Sequence, residues 1–121
     1  MDIRLKRAYC KPERLDGFRV LVDGLWPRGL SKDDLQLDAW LKELAPSAAL
    51  RRWFGHDADR WQEFKQRYFA ELDENPDLIK VLLRELRRGR VTLVYGAREE
   101  KFNNAVALKD YLGKKLRQHA E

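Results

Sequence analysis

Polar residues, glycines and one tryptophan stand together in the segment 23–29, which reads Asp-Gly-Leu-Trp-Pro-Arg-Gly. Their types suit the binding of a small anion, because Arg28 can grip a phosphate or carboxylate with two hydrogen bonds and Trp26 offers a flat apolar surface. Asp23 can accept or donate a proton. Gly29 can adopt backbone angles that other residues avoid. The alternative is structural, with Trp26 filling the core and Arg28 paired with Asp23 or a helix carboxylate.

A second group of polar side chains lies in the segment 96–104. Arg98 supplies a cation, and Asn103 or Asn104 can cap the helix expected after them. The N-terminus of a helix presents free N–H groups that attract anions. The glutamates beside Arg98 would repel an anion, and the segment contains no phosphate-binding glycine motif. Arg98 alone is therefore a weak signal for an anion site, and the signal is stronger in combination with Arg28.

His56 is the candidate for acid–base chemistry near neutral pH. It follows Gly55, which is expected to end one helix, and precedes Asp57, which is expected to cap the next. His56 should therefore lie on a loop, where Asp57 can orient its ring for proton transfer. The structural alternative is that His56 interacts with the C-terminal carbonyls of the preceding helix.

The composition limits which kinds of site and protein are possible. One cysteine and two histidines exclude a disulfide framework and a cysteine-rich zinc site, and we expect neither a metal nor a cofactor. Hydrophobic residues make up 44% of the chain and charged residues 37%, which excludes a disordered chain and a membrane protein. The first residues form no apolar segment typical of a secretory signal. We therefore expect a soluble, cytoplasmic protein.

The net charge of +5 is unevenly distributed along the 121 residues. Residues 1–28 hold seven Lys or Arg against four Asp or Glu, residues 29–83 hold eight against eleven, and residues 84–121 hold ten against five. The basic C-terminal third can follow a phosphate backbone, so a nucleic-acid-binding module is one alternative function. The structural alternative is a solvated basic face that keeps the protein soluble.

The tryptophans suggest a third hypothesis, a protein-interaction domain without catalytic activity. An exposed aromatic side chain often anchors a protein interface. Most large aromatic side chains are buried in the core instead, so the hypothesis requires at least one of them to remain exposed. The four tryptophans are Trp26, Trp40, Trp53 and Trp61.

Three segments are predicted to be β-strands. Residues 3–9 alternate between apolar and polar side chains, as at the edge of a sheet, whereas 18–23 and 91–95 are nearly continuous apolar runs typical of strands covered on both faces. Between the second and third strands, capping residues and apolar stripes predict a series of helices. One of these is expected to begin at Asp38 and to carry Trp40, and a last helix follows the third strand.

These elements predict a single compact α/β domain over residues 1–121. The connection between the first two strands is too short for a helical crossover, so we expect an antiparallel hairpin there. The long helical passage before the third strand suits a right-handed parallel crossover. The expected architecture is a small mixed, mainly parallel sheet flanked by helices. Ligands of such sheets bind beyond the carboxyl ends of the strands, here near Asp23 and Tyr95.

Four motifs in the same order resemble the YeaO-like family of small bacterial proteins (domain of unknown function 488). They are Val-Asp-Gly-Leu-Trp-Pro-Arg-Gly at 22–29, Trp-Leu-Lys-Glu-Leu-Ala-Pro-Ser at 40–47, Leu-Arg-Arg-Trp-Phe-Gly-His-Asp at 50–57 and Thr-Leu-Val-Tyr at 92–95. The resemblance extends over about residues 6–112. It implies a compact bacterial α/β domain and no particular reaction.

Three positions depart from the pattern that this resemblance implies. Family members commonly carry Asp where this chain has Cys10, Arg where it has Gly24, and His where it has Asn104. A site that uses those side chains would be altered in this chain while the fold is kept. The favoured hypothesis is a protein that binds a small anionic or nucleotide-like ligand through Arg28 and Arg98. Such a protein is either an enzyme that acts on this ligand or a former enzyme that only binds it.

Overall fold

Parallel strand pairing organises the molecule, whose computed structural model describes residues 1–119. Four strands form one sheet: β1 (Ile3–Arg7), β2 (Phe18–Leu21), β3 (Ala39–Trp40) and β4 (Val91–Tyr95). Their order across the sheet is β1-β4-β2-β3, and each neighbouring pair is parallel. The α/β fold predicted from the sequence, with a small sheet flanked by helices, is confirmed, and the described strands pair only in parallel rather than forming the mixed sheet that was expected.

The antiparallel hairpin expected between β1 and β2 is wrong, because β4 lies between these strands and pairs in parallel with both. The connection is longer than the pattern suggested and runs over residues 8–17. An extended chain of this length spans up to about 33 Å, whereas a five-residue strand measures only about 17 Å. The connection can therefore return along the sheet, where Thr92 Oγ1 donates a hydrogen bond to Asp16 O (2.7 Å).

Helical ends lie mostly where the capping residues predict them. Ser31 and Asp34 form a capping box at the first helix, Ser47 caps the second, and Pro76 is the first residue of the fourth. Within residues 1–119, no helix is long and apolar enough to cross a membrane. The helices are α1 (Lys32–Leu35), α2 (Ala48–Phe54), α3 (Trp61–Asp73), α4 (Pro76–Arg88) and α5 (Asn104–His119).

The prediction of a helix beginning at Asp38 is wrong, because this segment joins the sheet as strand β3. Asp38 N donates to Arg19 O (2.8 Å), and Asp38 Oδ2 accepts from Arg19 N (2.8 Å). Leu41 N likewise donates to Leu21 O (3.0 Å), and a 3-10 helix follows at Lys42–Leu44. Backbone pairing with β2 therefore outweighs the local helical pattern.

The two faces of the sheet are covered differently. Helices α2 to α5 bury the larger core against one face, where Val20, Val22 and Leu93 are fully buried. The other face is covered by α1 and by loops that carry Trp26 and Leu30. Its apolar cluster is smaller and consists of Ala8, Leu21, Leu35 and Val94.

Ion pairs replace apolar packing on part of this second face. Arg19 Nη1 donates to Asp16 Oδ2 (2.7 Å), and Lys6 Nζ lies 3.1 Å from Asp16 Oδ1. Arg19 also donates two hydrogen bonds to Leu35 O, from Nε (3.0 Å) and Nη2 (2.7 Å). Both Asp16 and Arg19 are buried, so these contacts are needed to offset the loss of their hydration.

Candidate functional site

The carboxyl ends of β2 and β4 are joined by the side chain of Asp23. Its Oδ2 accepts a hydrogen bond from Gly96 N (2.8 Å), and its Oδ1 accepts one from Asn104 Nδ2 (3.1 Å). Asn104 Nδ2 also donates to Val22 O (3.1 Å). A Cβ at position 96 would lie 3.3 Å from Asp23 Oδ2, so glycine permits this close approach. Asp23 thus connects two strand ends to the first residue of α5.

Burial dominates the electrostatics of Asp23. It raises the pKa of this carboxyl above the ordinary value of 3.8, because removal from water disfavours the charged form. The hydrogen bonds from Gly96 and Asn104 and the positive charge of Arg51 oppose that rise. The carboxylate is therefore held by fixed donors and binds a proton more readily than an exposed aspartate does.

Beside Asn104, at the same edge of the sheet, lies a cavity of about 110 Å³. Its polar lining comes from Arg51, His56, Asn103 and Asn104. The volume is smaller than the roughly 300–1,000 Å³ of pockets that hold drug-sized ligands, so the cavity suits a single ring. Its apolar walls are formed by Pro46, Phe54, Phe64, Ala97 and Phe102.

His56 lies exposed at the rim of this cavity, with its ring centroid 6.2 Å from that of Phe54. Its backbone φ is +56°, and that of Gly55 is +53°, so two successive left-handed residues turn the chain after α2. Asp57 does not orient the His56 ring as expected. Its Oδ1 accepts from Asp59 N (3.0 Å), which makes Asp57 the cap of the next turn.

Asn103, one of the two residues expected as a cap, is the residue that caps α5. Its Oδ1 accepts a hydrogen bond from Val106 N (2.9 Å), and its Nδ2 donates to Glu99 O (2.8 Å). The side chain is nearly fully buried. Both ends of the Asn103 amide are therefore used within the protein, whereas Asn104 bonds through its nitrogen alone among the described residues.

Trp26 lies on the second face of the sheet, away from the cavity. Its Nε1 donates to Leu30 O (2.7 Å), and its ring meets that of Trp40 edge-on, with centroids 5.5 Å apart. The ring packs against the cluster that contains Leu21 and Val94. Trp26 is only partly buried, but its contacts are those of a residue that closes the second core.

Arg28 and Gly29 form a turn on the surface. Gly29 has a φ of +83°, and Leu30 N lies 3.5 Å from Pro27 O, as in a type II turn. Tyr9 Oη donates to Arg28 O (2.9 Å). The Arg28 side chain is exposed, does not line the cavity and forms no hydrogen bond or ion pair within residues 1–119.

Arg98 is exposed on the loop between β4 and α5 and does not line the cavity either. Other cations of the basic C-terminal third are held in ion pairs. Arg90 pairs with Asp2 (2.6 Å), Arg88 with Glu85 (3.4 Å) and Lys115 with Asp73 (3.8 Å). These pairs remove part of the positive charge that a phosphate backbone would meet.

Arg51 and the aromatic walls of the cavity were not predicted from the sequence. Arg51 stands three residues before Phe54 in α2, so the two side chains share one face of the helix. Phe64 belongs to the apolar stripe of α3. The spacing of Arg51 and Phe54 was therefore an available signal, but helical periodicity does not show what a shared face encloses.

No cluster of three or more His, Cys, Asp or Glu suited to a metal ion occurs in the part of the chain that the structure describes. Cys10 is exposed and carries a free thiol. Arg51, His56 and Asn104 all line the cavity.

A family model described as "Inactive DUF488-N3 subclade" matches residues 2–121. This chain belongs to the DUF488 family. The YeaO-like resemblance read from the four sequence motifs is thereby confirmed.

Relatives of this DUF488 chain cover almost its full length. "Uncharacterized protein YeaO" of Escherichia coli (strain K12) is 41% identical over 112 residues, which are 93% of this chain and 97% of that protein. "Uncharacterized protein Mb3100c" of Mycobacterium bovis and "Uncharacterized protein Rv3073c" of Mycobacterium tuberculosis are each 40% identical over 111 residues, 91% of this chain and 92% of theirs. No solved structure matches this chain at a significant level.

Proposed function

We propose that this chain binds a small anionic or nucleotide-like ligand at the carboxyl ends of β2 and β4, with a flat ring of the ligand inside the cavity. The observation that supports this most is the convergence of Arg51, His56 and Asn104 on a cavity with aromatic walls. Aromatic side chains provide flat apolar surfaces for a ring. A guanidinium attracts carboxylates and phosphates.

Arg51 takes the anion-binding role in this proposal. Its side chain lines the cavity, whereas those of Arg28 and Arg98 do not. Within residues 1–119 the Arg51 guanidinium forms no hydrogen bond or ion pair, so it is available to a ligand. Arg28 and Arg98 would then interact only with parts of a ligand that project out of the cavity.

Binding without chemical conversion is the version of the function that the site favours. Both carboxylate oxygens of Asp23 already accept hydrogen bonds within the protein, and His56 lacks the orienting partner that proton transfer needs. The description of the matching family model as inactive points the same way. We therefore assign Asp23 a positioning role and His56 a ligand-contact role.

The test uses two neighbouring arginines of α2. Pyrrole-2-carboxylate, a flat anion with one ring, is titrated into the wild type, Arg51→Gln and Arg52→Gln by isothermal calorimetry. Both side chains are exposed, but only Arg51 lines the cavity. Loss of a charge-assisted hydrogen bond at an exposed position should weaken binding about tenfold in Arg51→Gln. Binding by Arg52→Gln should change less than about twofold.

Arg52→Gln is a matched control because it removes the same charge one residue away on the same helix. Equal weakening in both variants would mean that the probe senses only the general positive charge of α2. Unchanged affinity in Arg51→Gln would contradict the proposed site directly. Thermal unfolding of each variant by circular dichroism verifies that the fold is retained.

A further inference from the structure

Asn104 presents a hydrogen-bond acceptor whose direction is fixed by the protein. A side-chain amide has two N–H donors on its nitrogen and a carbonyl oxygen. The Nδ2 group of Asn104 uses its donors on Val22 O and Asp23 Oδ1, both at 3.1 Å. No donor among residues 1–119 reaches Asn104 Oδ1, and no described side-chain oxygen is buried without a partner. Asn104 Oδ1 is therefore accessible.

The orientation of this amide follows from its surroundings. Exchange of the nitrogen and oxygen positions would direct Oδ1 at a backbone carbonyl and a carboxylate, which are both acceptors. Two oxygen contacts of that kind are unfavourable, so Nδ2 must face Val22 and Asp23. Oδ1 then lies on the opposite side of the amide, in a residue that lines the cavity.

The other polar side chains of the cavity do not offer an unpaired acceptor with a fixed direction. The Asn103 amide is consumed by Val106 N and Glu99 O. Arg51 has donors only. A ring nitrogen of His56 can also accept a hydrogen bond, but no contact among the described residues fixes that ring. Asn104 Oδ1 is thus a side-chain acceptor held in place by the protein, in a residue that lines the same cavity as a guanidinium.

We infer that the ligand is a planar heterocyclic anion whose ring N–H donates a hydrogen bond to Asn104 Oδ1 while its acidic group faces Arg51. This inference rests on the proposed function and names its ligand class. A pyrrole, imidazole or uracil-type pyrimidinedione ring with a carboxylate or phosphate has the required chemistry. Sites built to receive an N–H reject a ligand of the same shape that lacks it, because the acceptor is left unpaired.

Two probes of the same shape test the inference. Pyrrole-2-carboxylate has a ring N–H, and furan-2-carboxylate has an oxygen acceptor in its place. Their dissociation constants for the wild type are measured by nuclear magnetic resonance titration. Pyrrole-2-carboxylate should bind at least about tenfold more tightly, because the furan oxygen would face Asn104 Oδ1 without a proton between them.

A variant at the acceptor provides the second measurement. In Asn104→Ala the ratio of the two dissociation constants should fall to about one, whatever happens to the absolute affinities. If this variant does not fold, the ratio in the wild type decides alone. Equal affinities for the two probes, or a preference for furan-2-carboxylate, would overturn this inference. If both probes still bind in a way that depends on Arg51, the proposed function is unaffected by that result. Binding of neither probe overturns both.

Discussion

Asn104 Nδ2 lies 3.1 Å from Asp23 Oδ1. This hydrogen bond connects the first residue of α5 to the segment that directly follows β2. The same nitrogen donates to Val22 O, so the helix start is fixed to the strand end by two contacts. Gly96 N holds the other oxygen of Asp23. These contacts use Asn104 Nδ2 and leave Asn104 Oδ1 free to contact a ligand. Asp23 therefore influences the cavity by orienting Asn104, although Asp23 itself does not line the cavity.

Replacement of Asp23 by asparagine should change how stability depends on pH. Since the pKa of Asp23 is raised in the folded protein, the folded state binds its proton more tightly than the unfolded state does. The resulting stabilisation is fully present below pH 3.8 and is lost as the pH rises through the folded-state pKa. The free energy of unfolding of the wild type minus that of Asp23→Asn should therefore fall over this window.

Urea unfolding of both proteins, followed by tryptophan fluorescence at a series of pH values, measures this difference. Subtraction removes the contributions of the other acidic groups, including Asp2 and Asp16, whose pKa values are lowered and whose stabilising effects have the opposite dependence on pH. A difference that rises with pH above 3.8 would show that the donors to Asp23 outweigh its burial.

Alanine at position 17 should strongly destabilise the fold. Gly17 has a φ of +67°, and a Cβ there would lie 2.5 Å from Arg90 O, a backbone atom that cannot move aside without disturbing β4. The combined backbone strain and overlap should cost about 2–4 kcal/mol in the free energy of unfolding. Gly89→Ala is the control, because it meets no atom within 4 Å and should change stability by no more than about 1 kcal/mol. Equal effects of the two changes in urea unfolding would refute the proposed strain.

The substitution Arg19→Met should destabilise the fold, because it removes a buried charge that Asp16 and the carbonyl oxygen of Leu35 both contact. Asp16 would keep only Lys6 as a cationic partner, and Leu35 O would lose both of its guanidinium donors. Removing one partner of a buried ion pair costs about 3–5 kcal/mol. Because Lys6 remains beside Asp16, we expect Arg19→Met to lower the free energy of unfolding by about 3 kcal/mol. Arg14→Met removes an exposed arginine nearby and should change the free energy of unfolding by less than about 0.5 kcal/mol.

Chemical denaturation monitored by circular dichroism compares these two variants with the wild type. A loss of less than about 1 kcal/mol in Arg19→Met would indicate that the methionine side chain repacks and that the buried ions give no net stability. The comparison also tests whether the ionic part of the second face is structural. Neither variant should alter the affinity for pyrrole-2-carboxylate, because neither residue lines the cavity.

Local signals predicted the helices well and the pairing of strands less well. Ser47 and Gly55 mark the ends of α2 because capping depends on residues adjacent in sequence. The β1–β2 hairpin and the helix at Asp38 were wrong because strand pairing depends on partners far along the chain, and β4 arrives only at residue 91. Tertiary pairing then overrides local preference.

The candidate site shows the same limit. Polar residues after β2 and β4 led to the expectation of a site at this edge of the sheet, where Asn104 and His56 line a cavity. Arg28 and Arg98 follow the same strands but point elsewhere on the surface, because a tight turn at Gly29 and an exposed loop carry them. The direction of a loop side chain depends on packing that no short motif records. Arg51 lies in α2 and was not predicted because helical periodicity does not show what a shared helix face encloses.

The most direct test of the central claim is where a small heterocyclic anion binds. Amide chemical shifts of isotope-labelled protein, followed while pyrrole-2-carboxylate is added, locate the site residue by residue. If the anion binds in the cavity, saturable changes are expected at Phe54, Ala97 and Asn104, which line it. Saturable changes confined to the basic faces of α4 and α5, with none at the cavity, would contradict it.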